Sequence, residues 1–168
     1  AYFDSRVVFV SETGPKDNRT KRLAFMDQDG ANFRILKHPP SIVIAPRFAP
    51  TSNKIIFTGY ETGKPRVYLM DLSSEEITPL AELKGMSFAP RFSMDGTKIV
   101  LSMTQNGNTD IFINSLDTGI KRRLTTNSAI DTAPSFSPDG KSIVFESDRG
   151  GGQQLYIISS EGGEAKRI

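Results

Sequence analysis

Few side chains in this chain of 168 residues could carry out chemistry, and their types narrow the options before any fold is considered. There is no Cys, which removes disulfides, thiolate metal sites and thiol nucleophiles together and leaves the redox compartment undetermined. The single His, His38, sits in Lys37-His38-Pro39-Pro40, a connector stretch. With no second His to complete a ligand set and no Ser motif around it, it reads as a solvated loop residue. Gly-x-Ser-x-Gly is absent from these residues, so no nucleophile elbow and no hydrolase site are expected. Asp27, Asp29 and Gly30, in Asp-Gln-Asp-Gly, suggest a calcium loop because alternate carboxylates can converge on a hard cation. The other ligands of such a loop are missing, and an Asx-type turn explains Asp27. No metal and no cofactor are expected. Asn18-Arg19-Thr20 matches a glycosylation sequon and is read as idle.

Charge excludes further classes. There are 21 basic and 19 acidic side chains, a formal charge of +2, so no strong field draws the chain to nucleic acid or to an anionic membrane. Lys16, Arg19, Lys21 and Arg22 cluster in one loop but lack the interleaved aromatics that single-stranded nucleic acid requires. They read as a solvated loop, with a rim contact to a protein as the sharper alternative. No apolar run approaches the roughly 20 residues of a membrane helix, and no signal-peptide pattern opens the chain, so residue 1 is expected to be an internal or processed start. At 37% hydrophobic and 24% charged residues, the chain can bury a core as one soluble globular unit.

The elements that must position any site repeat. Ala45-Pro46-Arg47-Phe48 returns as Ala89-Pro90-Arg91-Phe92 and as Ala133-Pro134-Ser135-Phe136, 44 residues apart each time. Ile55, Ile99 and Ile143 keep the same step, as do Tyr68, Phe112 and Tyr156, and Leu80, Leu124 and Ile168. Phe25-Met26-Asp27 matches Leu69-Met70-Asp71, so a partial copy precedes the first full one. Val7 to Val10 matches Ile55 to Thr58 at a step of 48, which places a four-residue insertion between Glu12 and Arg22. The units are about 3–38 (incomplete), 42–82, 86–126 and 130–168.

Within each copy, turn formers such as Phe-Ser-Pro-Asp-Gly (136–140) separate short β-branched and aromatic runs: Lys54 to Phe57, Lys98 to Leu101 and Ser142 to Phe145. A Gly-bearing loop leads to Val67 to Met70, Ile111 to Ile113 or Leu155 to Ile158, and a polar turn to a fourth run such as Lys121 to Leu124. No apolar stripe at helical spacing occurs. Four antiparallel strands per 44 residues, apolar on both faces, predict an all-β fold of β-propeller blades, with a solenoid of hairpins as runner-up.

In a four-stranded blade, the inter-blade connectors and the loop between the second and third strands emerge at one end of the ring, and the Ser-Pro-Asp-Gly turns at the other. Binding residues generally sit on such loops over a rigid scaffold. The connectors are Ser41 to Ile44, Gly85 to Phe88 and Ala129 to Thr132, and the first two are unusually apolar for loops. Two readings stay open: Ile42, Ile44 and Phe88 ring a channel mouth as a protein-binding surface, or they pack between blades.

Ala-Pro-Ser-Phe-Ser-Pro-Asp-Gly-Lys-Ser-Ile-Val-Phe (133–145) and Leu-Tyr-Ile-Ile-Ser-Ser-Glu-Gly-Gly (155–163) resemble the WD40-like repeat of the TolB-type propeller family. Tyr2 to Val10 is similar to the entry into that family's propeller, and the resemblance spans nearly the whole chain. It implies a non-catalytic periplasmic component of the Tol-Pal system, with an N-terminal α/β domain before a six-bladed ring, supporting outer-membrane integrity during division. It also implies binding of the lipoprotein Pal at the channel mouth. By motif alignment that role passes to Met86, Ala89 and Thr132, with Ser87, Phe88 and Asp131 as neighbours and Ile42 and Ile44 on the same rim. The domain whose first residues contact TolA in that family is missing from this sequence. The chain is thus expected to be a propeller fragment of about four blades, the first lacking its innermost strand, with end faces covered by another copy or by a further chain. The alternative function is the gating propeller of a serine peptidase, since such propellers share the repeat.

Overall fold

The computed structural model describes residues 5–36, 42–61, 63–80 and 85–168. Tyr2 to Asp4, His38 and Ser41 lie outside the described residues. The described residues form strands and turns with no helix, so none contains a helix long and apolar enough to cross a membrane.

Four antiparallel sheets follow one another, each ordered in space as in sequence. The first has three strands, β1 (Arg6–Thr13), β2 (Thr20–Asp27) and β3 (Arg34–Ile35). The second holds β4 (Val43–Phe48), β5 (Lys54–Gly59), β6 (Arg66–Asp71) and β7 (Ile77–Pro79). The third holds β8 (Met86–Phe92), β9 (Lys98–Gln105), β10 (Asn108–Ser115) and β11 (Lys121–Arg123). The fourth holds β12 (Asp131–Phe136), β13 (Ser142–Ser147), β14 (Gln154–Ser159) and β15 (Lys166–Arg167).

The sheets stack face to face, which is why their second strands are nearly continuous apolar runs rather than alternating ones. Ile55 and Phe57 of β5 pack with Leu23 and Phe25 of the first sheet, while Ile56 between them packs with Ile99, Leu101 and Phe112 of the third. Val100 turns the other way, to Ile143, Phe145 and Tyr156 of the fourth. Strand period two therefore sends neighbouring residues into different interfaces, and each fully buried side chain contributes roughly 1.5–3 kcal/mol. First strands β4, β8 and β12 approach one another in turn, so they form the inner wall of a fan. The fold is an arc of propeller blades.

Two local devices recur. In the Ser-x-Asp-Gly turns, Asp95 Oδ1 accepts from Ser93 Oγ (2.6 Å) and the Thr97 amide (3.0 Å), and Asp139 Oδ1 from Ser137 Oγ (2.6 Å) and the Lys141 amide (3.0 Å). Only the glycines, Gly96 and Gly140, take positive φ. The Asp serves as a side-chain staple of the turn, and the Gly alone supplies the positive φ. The second device is a register shift in each inner strand, between Ile44 and Arg47, Phe88 and Arg91, and Thr132 and Ser135. At each, the Ala before Pro (Ala45, Ala89, Ala133) holds φ at 51°.

Candidate functional site

The three connectors lead directly into inner strands. Ile44, Met86 to Phe88, Asp131 and Thr132 are strand residues, so the apolar character that looks odd for a loop is ordinary strand alternation. Ile42 and Ile44 are exposed, as is Met86, while Phe88 and Thr132 are half-buried. Ala89 sits at the bulge.

Two of the sequence-predicted residues are occupied internally. Ser87 is buried; its Oγ accepts from the Val67 amide at 3.0 Å and its own amide donates to the Pro65 carbonyl at 3.0 Å, clasping the second sheet to the third. Asp131 is fully buried and takes the Arg149 guanidinium on both oxygens, at 2.9 and 2.8 Å. Arg149 in turn lies over the Phe145 and Tyr156 rings, 5.3 and 4.8 Å from their centroids. Both residues shape the rim from beneath.

In each connector one exposed apolar residue recurs immediately before these positions. Ile42, Met86 and Ile130 are 44 residues apart, so they occupy one repeat position, and all three are exposed at 45%, 36% and 48%. Sequence reasoning missed Ile130 as a site residue because Ala129-Ile130-Asp131-Thr132 is less apolar than the other connectors. The step of 44 from Met86 was the signal available to find it.

These residues share one end of the arc with the loops between second and third strands. The Tyr60 amide donates to the Ile42 carbonyl (3.0 Å) and the Ile130 amide to Asp148 Oδ1 (2.8 Å). Gly85 fixes the approach of its connector at φ 140°: a Cβ there would stand 2.0 Å from the Thr104 carbonyl oxygen. Beside Asp131, the buried Asp110 accepts from Arg123 at 2.7 Å through Oδ2, while its Oδ1 has no protein partner. Burial outweighs Arg123 there and pushes the Asp110 carboxyl up. Among the described residues no three His, Asp or Glu side chains converge as a metal site would need. The arrangement offers apolar contact over a rigid, internally satisfied base.

Comparison with known proteins agrees with this architecture. The profile of the TolB beta propeller domain matches residues 1–168. The Tol-Pal system protein TolB of Cereibacter sphaeroides (strain ATCC 17025 / ATH 2.4.3) is 63% identical over 84 residues, 50% of this chain and 19% of that protein. That of Roseobacter denitrificans is 57% identical over a stretch of the same length, again 50% of this chain and 19% of that protein. The crystal structure of TolB from Acinetobacter baumannii superposes with a TM-score of 0.83 at 33% identity, covering 99% of this chain and 42% of that one. The tricorn protease, at 14% identity and a TM-score of 0.71 over 93% of this chain and 17% of that one, shares the fold alone. The match thus spans less than a fifth of the curated relatives' length. With a repeat of 44 residues, four fanned sheets and a profile match along its entire length, the chain belongs to the TolB beta-propeller family and is similar to components of the Tol-Pal system.

Proposed function

We propose that this chain is a non-catalytic, periplasmic part of the Tol-Pal system that binds the lipoprotein Pal at the connector end of its blades and so supports outer-membrane integrity during division. The blades are delimited at about 3–38, 42–82, 86–126 and 130–168. The observation that carries the reading is the exposed apolar position shared by Ile42, Met86 and Ile130, one at the inner strand of each of the second, third and fourth sheets. Apolar side chains repeated at the mouth of a rigid scaffold suit a protein surface better than a small polar substrate. Met86, Ile42, Ile44, Phe88 and Thr132 make the contact; Ala89, Ser87 and Asp131 hold the backbone that presents them.

The test is a calorimetric titration of soluble Pal into the complete gene product and into a variant carrying Met86→Glu and Thr132→Arg. Binding weakened at least about a hundredfold, roughly 2.7 kcal/mol, is the expected result. Unchanged affinity in a folded variant overturns the assignment of this rim.

A further inference from the structure

We propose that the hairpin joining β1 to β2 is a cationic arm that receives an acidic protein surface beside the apolar rim. The inference rests on the rim as a protein-binding surface and adds the chemistry of what docks there. Ten residues (12–21) separate Ser11 from its partner Arg22, whereas six separate the equivalent pairs Gly59 and Arg66, Met103 and Asp110, and Ser147 and Gln154. Part of the extra length is laddered, with Glu12 opposite Lys21 and Thr13 opposite Thr20. Residues 12–22 are all exposed. They hold four cations, Lys16, Arg19, Lys21 and Arg22, against Glu12 and Asp17. With these set aside the chain's 21 basic and 19 acidic side chains balance, so the whole formal excess of +2 sits on the arm.

Strand period two sets the faces of the arm. Val10 and Leu23 pair on the face turned to the apolar cluster that includes Val43 of β4. The next rung on that face, about 7 Å farther out, is Glu12 with Lys21. Ile42, the first exposed rim residue, immediately precedes Val43, so cations and rim leave one cluster at the connector end. Glu12 is shared by Arg19 (3.1 Å) and Lys21 (2.9 Å), which leaves the triad positive. Lys16 and Arg22 enter no ion pair among the described residues. Exposed pairs of this kind add little stability, so the triad's role is to fix where charge is presented. Polar and charged groups around an apolar contact are what a protein interface has at its edge. From Thr13 to Thr20 there is no large aliphatic or aromatic side chain to enter a membrane or stack on bases, so an acidic protein surface fits the arm better than lipid or nucleic acid.

The test is stopped-flow association of soluble Pal with the complete gene product at low and high salt. In Arg19→Gln with Lys21→Gln the association rate constant should fall at least about threefold at low salt, with dissociation little changed. Glu12→Gln should raise it about twofold, because it frees both cations; ion pairs that merely stiffened the hairpin would make both variants slower. Both differences should vanish at about 0.5 M salt. Met86→Glu with Thr132→Arg should instead speed dissociation. If that rim variant binds like the parent, the rim reading falls and this inference with it. If the rim variant is impaired while the arm variants associate at the parental rate, or if Glu12→Gln is slowed, the rim stands and the arm is overturned. Cosedimentation with phosphatidylglycerol vesicles that is lost in Arg19→Gln with Lys21→Gln would assign the arm to lipid and overturn the acidic-protein assignment.

Discussion

Ala45, Ala89 and Ala133 pay for the bulge of each inner strand with a left-handed backbone that an L side chain disfavours by roughly 1–2 kcal/mol. Ala89→Gly should therefore stabilise the protein by about 0.5–1 kcal/mol after the greater unfolded-state freedom of glycine is subtracted, measured by urea denaturation. Gly85→Ala acts oppositely, because its methyl would meet the Thr104 carbonyl at positive φ; a loss of at least about 1–3 kcal/mol is expected in the same assay. The turn aspartates bring pH dependence. Hydrogen bonds from Ser93 and Thr97 hold Asp95 below the usual carboxylate range, and those from Ser137 and Lys141 do the same for Asp139. Their contribution is complete above the unfolded pKa and disappears as pH falls through the lower folded one, so Asp139→Ala should flatten the melting profile below about pH 4. Asp110 runs the other way. Its raised folded pKa gives stability that is present below the unfolded value and lost as pH rises through the folded one. Asp110→Asn should accordingly gain on the parent as pH rises above the ordinary carboxylate range, read as a difference in melting temperature. The turns were legible in Ser-Pro-Asp-Gly. The conformation of the alanines was not, since an Ala in a β-rich run gives no sign of φ, and only its recurrence before Pro marks the position.

At the scale of elements, hydrogen bonds between sheets supplement the apolar contacts. Ser87 Oγ receives the Val67 amide, Ser102 Oγ receives the Ala133 amide at 3.1 Å, and Arg122 donates to the Glu161 carbonyl at 2.6 Å. Ser87→Ala strands a buried N–H and should cost about 1–3 kcal/mol. Asp131→Ala leaves the part-buried Arg149 without its counter-charge and should cost about 3–5 kcal/mol, read as a lower melting temperature. Strand positions could be read from the sequence because each apolar run was short and bounded by Gly, Pro or Asp. The connectors could not, because one residue of strand at the start of an inner edge looks the same as one residue of loop. The Asp131–Arg149 pair was also hidden: one partner opens an inner strand and the other lies in a turn, 18 residues apart, and only the blade brings them together.

For the whole molecule, the fan was legible from one number, the step of 44, because equivalent residues had to land on equivalent faces. What the step did not show is which inner-strand side chains stay exposed, since that depends on how far successive sheets overlap. On the face of the fourth sheet turned away from the third, Val144 pairs with Ile157 and Glu146 with Leu155, and Leu155 is 49% exposed. The 168-residue chain on its own is expected to self-associate through this face, with Leu155→Glu returning it to a monomer in sedimentation velocity. The inner wall is protected from the same outcome. Each of β4, β8 and β12 is the edge of its sheet, yet Pro46, Pro90 and Pro134 remove an amide just where the backbone is also kinked. An invading extended peptide would find no continuous ladder to zip onto along these three strands, so the inner edges resist β-augmentation.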